Sequence, residues 1–99
     1  METQTLSIKQ YQHFQITLYE NKTTGYSWTI DTSSGIKLVS DEYVVTKQNS
    51  KILGRGGSRI LEFVPTNNGL QYIICIYKRI WEKPSKLDKT KKYVIKVYN

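Results

Sequence analysis

The feature that most constrains this chain is an alternation of apolar and polar residues that recurs from end to end, while helical spacing at i, i+3, i+4 and i+7 is never sustained. The chain therefore reads as strands. His13 to Glu20 sets Phe14, Ile16 and Leu18 on one face against His13, Gln15 and Thr17 on the other, the pattern of a half-buried antiparallel strand. Tyr26 to Asp31 repeats it with Tyr26, Trp28 and Ile30. Further strands are predicted at Thr5–Lys9, Ile36–Lys47 (one strand, or two that part near Asp41), Ser58–Val64, Leu70–Lys78 and Lys92–Tyr98. Seven short strands separated by turn residues predict one all-β domain, residues 1–99, folded as an antiparallel β-sandwich. Within Leu70–Lys78 the even positions Leu70, Tyr72, Ile74 and Ile76 make the more apolar face and are expected inside, which turns Cys75 away from the core. Tyr72, just after Asn67-Asn68-Gly69, sits where such sandwiches carry a tyrosine corner.

Composition narrows the chemistry. No apolar run approaches the roughly 20 residues of a spanning helix. Met1-Glu2-Thr3-Gln4-Thr5 lacks the basic start and apolar stretch of a secretory leader, so the expected location is cytoplasmic if Met1 is the native start, and lysosomal, vesicular or secreted if a leader was trimmed. The single cysteine, Cys75, has no partner for an internal disulfide. One histidine, His13, on a polar strand face, is too few ligands for zinc, and no His stands in a recognisable nucleophile arrangement with Cys75. Asp41 and Glu42 are adjacent and so point to opposite faces of a strand. No catalytic residue, metal or cofactor is expected. A formal charge of +7 favours acidic partners, and at this point nucleic acid, a membrane surface and an acidic protein all remain open. Lys83 to Lys92 is the most basic stretch and reads as a solvated loop broken by Pro84.

If consecutive strands run antiparallel, every second connection falls at the same end. The connections Asn21–Gly25, Gln48–Gly57 and Ile80–Lys91 then share one end, provided Ile36–Lys47 is a single strand. They hold the least ordinary residues in the chain. Asn21-Lys22-Thr23-Thr24-Gly25 is a polar turn running into the aromatic strand at Tyr26; Gly54-Arg55-Gly56-Gly57 contains half the glycines; Arg79-Ile80-Trp81 puts a tryptophan where a loop begins.

These three segments, in this order and spacing, resemble the chagasin-type inhibitors of cysteine peptidases, a family marked by an N-P-T-T-G turn, a G-x-G-G loop and an R-P-W segment. The resemblance covers nearly the whole chain. It implies an immunoglobulin-like sandwich that is not an enzyme but a reversible, tight-binding inhibitor of papain-family, cathepsin-like cysteine proteases. It also implies a monomer that needs neither nucleic acid nor membrane. The site residues it implies are Asn21, Lys22, Thr23, Thr24, Gly25 and Tyr26 in the turn, Gly54, Arg55, Gly56 and Gly57 in the glycine loop, and Arg79 and Trp81. Thr23 and Thr24 are small, stiff and hydroxylated, fit to enter a narrow cleft and hydrogen-bond there. Gly25 permits the φ > 0 that turns the chain back before a scissile bond is aligned. Lys22 and Ile80 stand where the family has Pro, which removes a ring that fixes φ near −65°. Restoring Pro at Lys22 looks the safer change from sequence, because Ile80 follows directly on a strand whose ladder could need its N–H. The alternative reading is a basic immunoglobulin-like module for nucleic acid or a cell-surface partner, which steep salt dependence would distinguish.

Overall fold

A computed structural model of the chain describes residues 2–45, 56–85 and 88–99. These form seven strands, β1 (Glu2–Lys9), β2 (Phe14–Glu20), β3 (Tyr26–Thr32), β4 (Ile36–Val45), β5 (Gly57–Pro65), β6 (Gly69–Arg79) and β7 (Lys89–Tyr98), and one short 3₁₀ turn at Lys22–Thr24. The strands are those that alternation predicts, with ends displaced by up to three residues; positions 46 and 47 of the expected fourth strand lie outside the described residues. They pair as a four-stranded sheet in the order β1-β7-β6-β3 and a three-stranded sheet in the order β2-β5-β4. All pairings are antiparallel except β1, which runs parallel to β7 from Glu2↔Lys91 to Lys9↔Tyr98. Local pattern cannot reveal that exception, because a strand's neighbour is chosen by topology.

The two inner faces bury Ile16, Leu18, Leu61 and Phe63 from the smaller sheet against Trp28, Ile73, Cys75, Tyr93, Ile95 and Val97 from the larger. Each fully buried aliphatic or aromatic side chain contributes about 1.5 to 3 kcal/mol. The inward faces read from sequence for β2 and β3 are the observed ones. For β6 the observed face is the opposite of the expected one: Ile73 and Cys75 are fully buried, while Leu70 is 72% exposed. Tyr72 is likewise surface-exposed and forms no tyrosine corner; its backbone N–H and C=O clasp Ser33 instead. Burial pushes the Cys75 thiol up to about 11, a group in no state to act as a nucleophile.

Strand β4 is continuous. Near the expected break it carries a register shift between Leu38 and Ser40, a bulge rather than a reversal. The parity of the connections therefore holds. Glu20, Gly57 and Val45 lie side by side at the ends of β2, β5 and β4, and Asn21 N–H donates to the Tyr77 hydroxyl near the end of β6 at 3.1 Å. The β2–β3 turn, the strand ends that flank 46–56 and the β6–β7 connection all leave this one end.

Candidate functional site

The β2–β3 turn is built almost entirely from its own hydrogen bonds. Asn21 is extended (φ −118°, ψ 98°) and caps the 3₁₀ turn: its Oδ1 accepts from the Thr23 N–H and, at 2.6 Å, from the Thr23 hydroxyl. Thr24 N–H and Thr24 Oγ1 both donate to the Asn21 carbonyl, and Thr24 Oγ1 accepts from Tyr26 N–H. Gly25 closes the turn by donating its N–H to the Lys22 carbonyl, and its φ of +82° is the left-handed conformation that glycine adopts without strain. Both threonine hydroxyl protons are therefore held inside the turn. What the hydroxyls offer outward is acceptor capacity, a narrower role than sequence suggests.

The second segment starts where β6 ends. Glu82 N–H donates to the Arg79 carbonyl at 3.1 Å, closing a four-residue turn with Ile80 and Trp81 at its centre. Arg79 fastens that turn to the first one: its guanidinium lies 4.8 Å from the centre of the Tyr26 ring and pairs with Glu82 at 3.2 Å. Lys78 Nζ donates to the carbonyls of Arg79 and Glu82. Trp81 is 69% exposed, so the indole is not part of the core. It lies across Gly25, where a Cβ would come within 2.9 Å of Trp81 Cη2. The rings of Tyr26, Tyr77 and Trp28 follow one another, with centroids 5.4 and 4.9 Å apart and neighbouring planes tilted by 35°. A groove of about 800 Å³, bordered by Asn21, Thr24, Tyr26, Tyr77, Arg79 and Glu82, opens between the turns.

Of the third segment, Gly54 and Arg55 lie outside the described residues. Gly56 packs on Tyr19, and Gly57 opens β5 so close to the Val44 carbonyl, 2.3 Å from where a Cβ would be, that only glycine fits without rearrangement. The structure thus brings Asn21–Tyr26, Arg79 and Trp81 into one surface, with Gly56 and Gly57 at the same end. His13 lies elsewhere, exposed, with Nδ1 2.7 Å from Glu62 Oε2.

Sequence reading misses what lies beneath the turn. Glu20, the last residue of β2, is fully buried. Its Oε1 accepts from Trp28 N–H at 2.9 Å and from Arg59 Nη1 at 2.7 Å. Arg59 in turn grips Asp41 through Nε and, at 2.8 Å, through Nη2. That fork holds the Asp41 carboxyl below its usual range and raises the guanidinium further above its own. Lys22 bends back over Tyr43, its Nζ 4.8 Å from the ring centre, to within 3.5 Å of Glu20 Oε2. No spacing rule links positions 20, 41 and 59, which only pairing of three strands brings together.

Comparison with known proteins decides the family. Residues 7–97 match the chagasin family of peptidase inhibitors, I42. The chain belongs to that family. It is similar to amoebiasin-1 of Entamoeba histolytica, 34% identical over 86 residues, which are 87% of this chain and 82% of that protein. The solution structure of amebosin superposes with a TM-score of 0.75 at 33% identity, covering 95% of this chain and 88% of that one. The crystal structure of the cysteine protease inhibitor EhICP2 from Entamoeba histolytica has the same fold, with a TM-score of 0.82, 22% identity, and coverage of 98% and 95%. This chagasin-family chain is accordingly an inhibitor of peptidases and not an enzyme.

Proposed function

We propose that this chain inhibits papain-family cysteine proteases reversibly by seating the turn Asn21–Gly25 in the catalytic cleft, with Trp81 beside it and the glycine segment Gly54–Gly57 along the other flank. The observation that carries this reading is the contact between the exposed Trp81 indole and Gly25, which makes one surface out of two residues 56 positions apart in the sequence. A thiolate attacks a carbonyl that can enter an oxyanion hole. The carbonyls of Asn21 and Lys22 are instead occupied within the turn, accepting from Thr24 and Gly25. The turn fills the cleft without presenting an extended peptide for cleavage. The threonine oxygens, their protons spent internally, face donors of the enzyme as acceptors, and the glycine segment pairs through its main chain where side chains would obstruct.

Titration against papain tests this. Competitive inhibition in the nanomolar to micromolar range is expected, with the inhibitor recovered uncut; no inhibition at about 100 μM, far above the range of a specific protein complex, overturns the proposal.

The structure also reverses the order of the two proline tests. Ile80 occupies the second position of the Arg79–Glu82 turn, where proline is favoured, and the β3–β6 ladder has ended at Tyr26↔Arg79. Ile80→Pro is expected to tighten inhibition about two- to fivefold by restricting the free turn. Lys22→Pro suits the backbone, since Asn21 is extended, but it deletes the cation that approaches Glu20. Inhibition constants measured beside melting temperatures check the pair: a weaker Ile80→Pro complex with the fold intact refutes the preformed turn.

A further inference from the structure

We propose that Glu20 is a positioning residue for the β2–β3 turn, and that Lys22 takes over, by charge, the restraint that proline supplies elsewhere in the family; this rests on the reading that the turn enters a protease cleft. Glu20 stands immediately before the turn, and Trp28, whose N–H its carboxylate receives, is the third residue of the strand that leaves it. One side chain therefore joins the entering strand of the smaller sheet to the leaving strand of the larger. Around it, Trp28 Nε1 donates to the Tyr19 carbonyl at 2.7 Å, and the Tyr43 hydroxyl donates to the Glu20 carbonyl at 3.2 Å. Arg59 Nη1 reaches the Trp28 carbonyl as well.

Charge explains the part Lys22 plays. Beneath the turn lie two carboxylates, Glu20 and Asp41, and one guanidinium, Arg59, which serves both. A buried charge without a counter-charge is costly. Among the described residues, Glu20 Oε2 has no hydrogen-bond partner, and the cation within reach of it is Lys22 Nζ at 3.5 Å. Lys22 brings the group to two charges of each sign, and it does so from inside the turn. The same ammonium sits over the Tyr43 ring, 4.8 Å from its centre. The backbone at Lys22 is thus held at its side-chain end rather than by a ring.

Because Glu20 is wholly buried, it cannot touch an enzyme, so any effect on inhibition must pass through the turn. The test uses Glu20→Gln, Lys22→Met, their combination and Lys22→Arg. Each is read by amide hydrogen exchange at Thr24 and Gly25 in the free protein, by the inhibition constant against papain, and by melting temperature. Glu20→Gln and Lys22→Met should each speed exchange about fivefold or more at the two amides that close the turn. Each should weaken inhibition about three- to tenfold. Lys22→Met should add little once Glu20→Gln is present, and Lys22→Arg should restore both readouts. Unchanged exchange at Thr24 and Gly25 overturns the proposal, even if inhibition falls, because Lys22 then acts by touching the enzyme. A lower melting temperature with unchanged exchange and inhibition also overturns it, leaving Glu20 a purely structural group. Should Glu20→Gln fail to fold, Lys22→Met and Lys22→Arg decide alone, since the Lys22 side chain is 56% exposed. If the unaltered protein does not inhibit papain, the function proposed above fails while the exchange measurement still decides this one.

Discussion

Replacing Trp81 by Ala is expected to weaken inhibition of papain at least about 30-fold, roughly 2 kcal/mol, with little change in melting temperature. The indole is 69% exposed and contributes almost nothing to the inter-sheet core, so truncation leaves the fold its stability. It is also held ready for a partner. The turn that carries it is closed by the Glu82–Arg79 hydrogen bond and fixed to Tyr26 through the Arg79 guanidinium. A turn closed in this way has less backbone freedom to lose on binding, a condition that favours a large rigid ring as an anchor. Inhibition constants beside thermal unfolding decide the matter: unchanged inhibition would remove Trp81 from the contact surface, and a large fall in stability would make it a structural cover for the turn.

How legible such a surface is depends on the kind of information each part needs. Strand positions follow from alternation, which any half-buried strand must show, and the shared end of the three connections follows from counting antiparallel reversals. Both steps need only local pattern. The inward face of β6 does not follow, because its two faces are nearly equally apolar: Leu70, Tyr72, Ile74 and Ile76 outnumber Ile73, Cys75 and Tyr77, yet the second set faces the core. What fixes the choice is register, since Cys75 lies between Ile30 of β3 and Lys91 of β7, while Ile73 pairs with the buried Tyr93. A one-residue shift would reverse every side chain at once.

The site divides along the same line. Asn21–Gly25 is legible because its residues bond to one another within five positions, and the cap, the threonine hydroxyls and the left-handed glycine are all short-range chemistry. The proximity of Trp81 to Gly25 is foreshadowed by strand parity but not specified by it. The Glu20–Arg59–Asp41 group is hidden altogether: each residue alone looks like a surface charge at a strand position, and Glu20 continues the inward parity of Ile16 and Leu18 only as an apparent violation of it. A charged residue in phase with a buried face is the signal that could have found it.

Replacing Gly25 by Ala should damage inhibition about as severely as loss of Trp81, and for two separable reasons. At φ +82° a residue with a Cβ costs about 1 to 2 kcal/mol, which predicts a melting temperature lower by about 5 to 10 °C in a domain of this size. The same Cβ would sit 2.9 Å from Trp81 Cη2, inside van der Waals contact, so the exposed ring must swing off the turn. The displaced ring loses its anchoring position, and inhibition should fall about 30-fold. Gly25→Asn divides the two effects, because Asn tolerates the left-handed conformation better but brings a Cβ all the same. It should recover most of the melting temperature and little of the inhibition. In a Trp81→Ala background no ring remains to be displaced, so Gly25→Ala should then cost only its backbone share. Effects that simply add across these two residues, measured as inhibition constants at a temperature where every variant is folded, would mean that the indole and the turn meet the enzyme independently. The contact between Trp81 and Gly25 would then be incidental to inhibition.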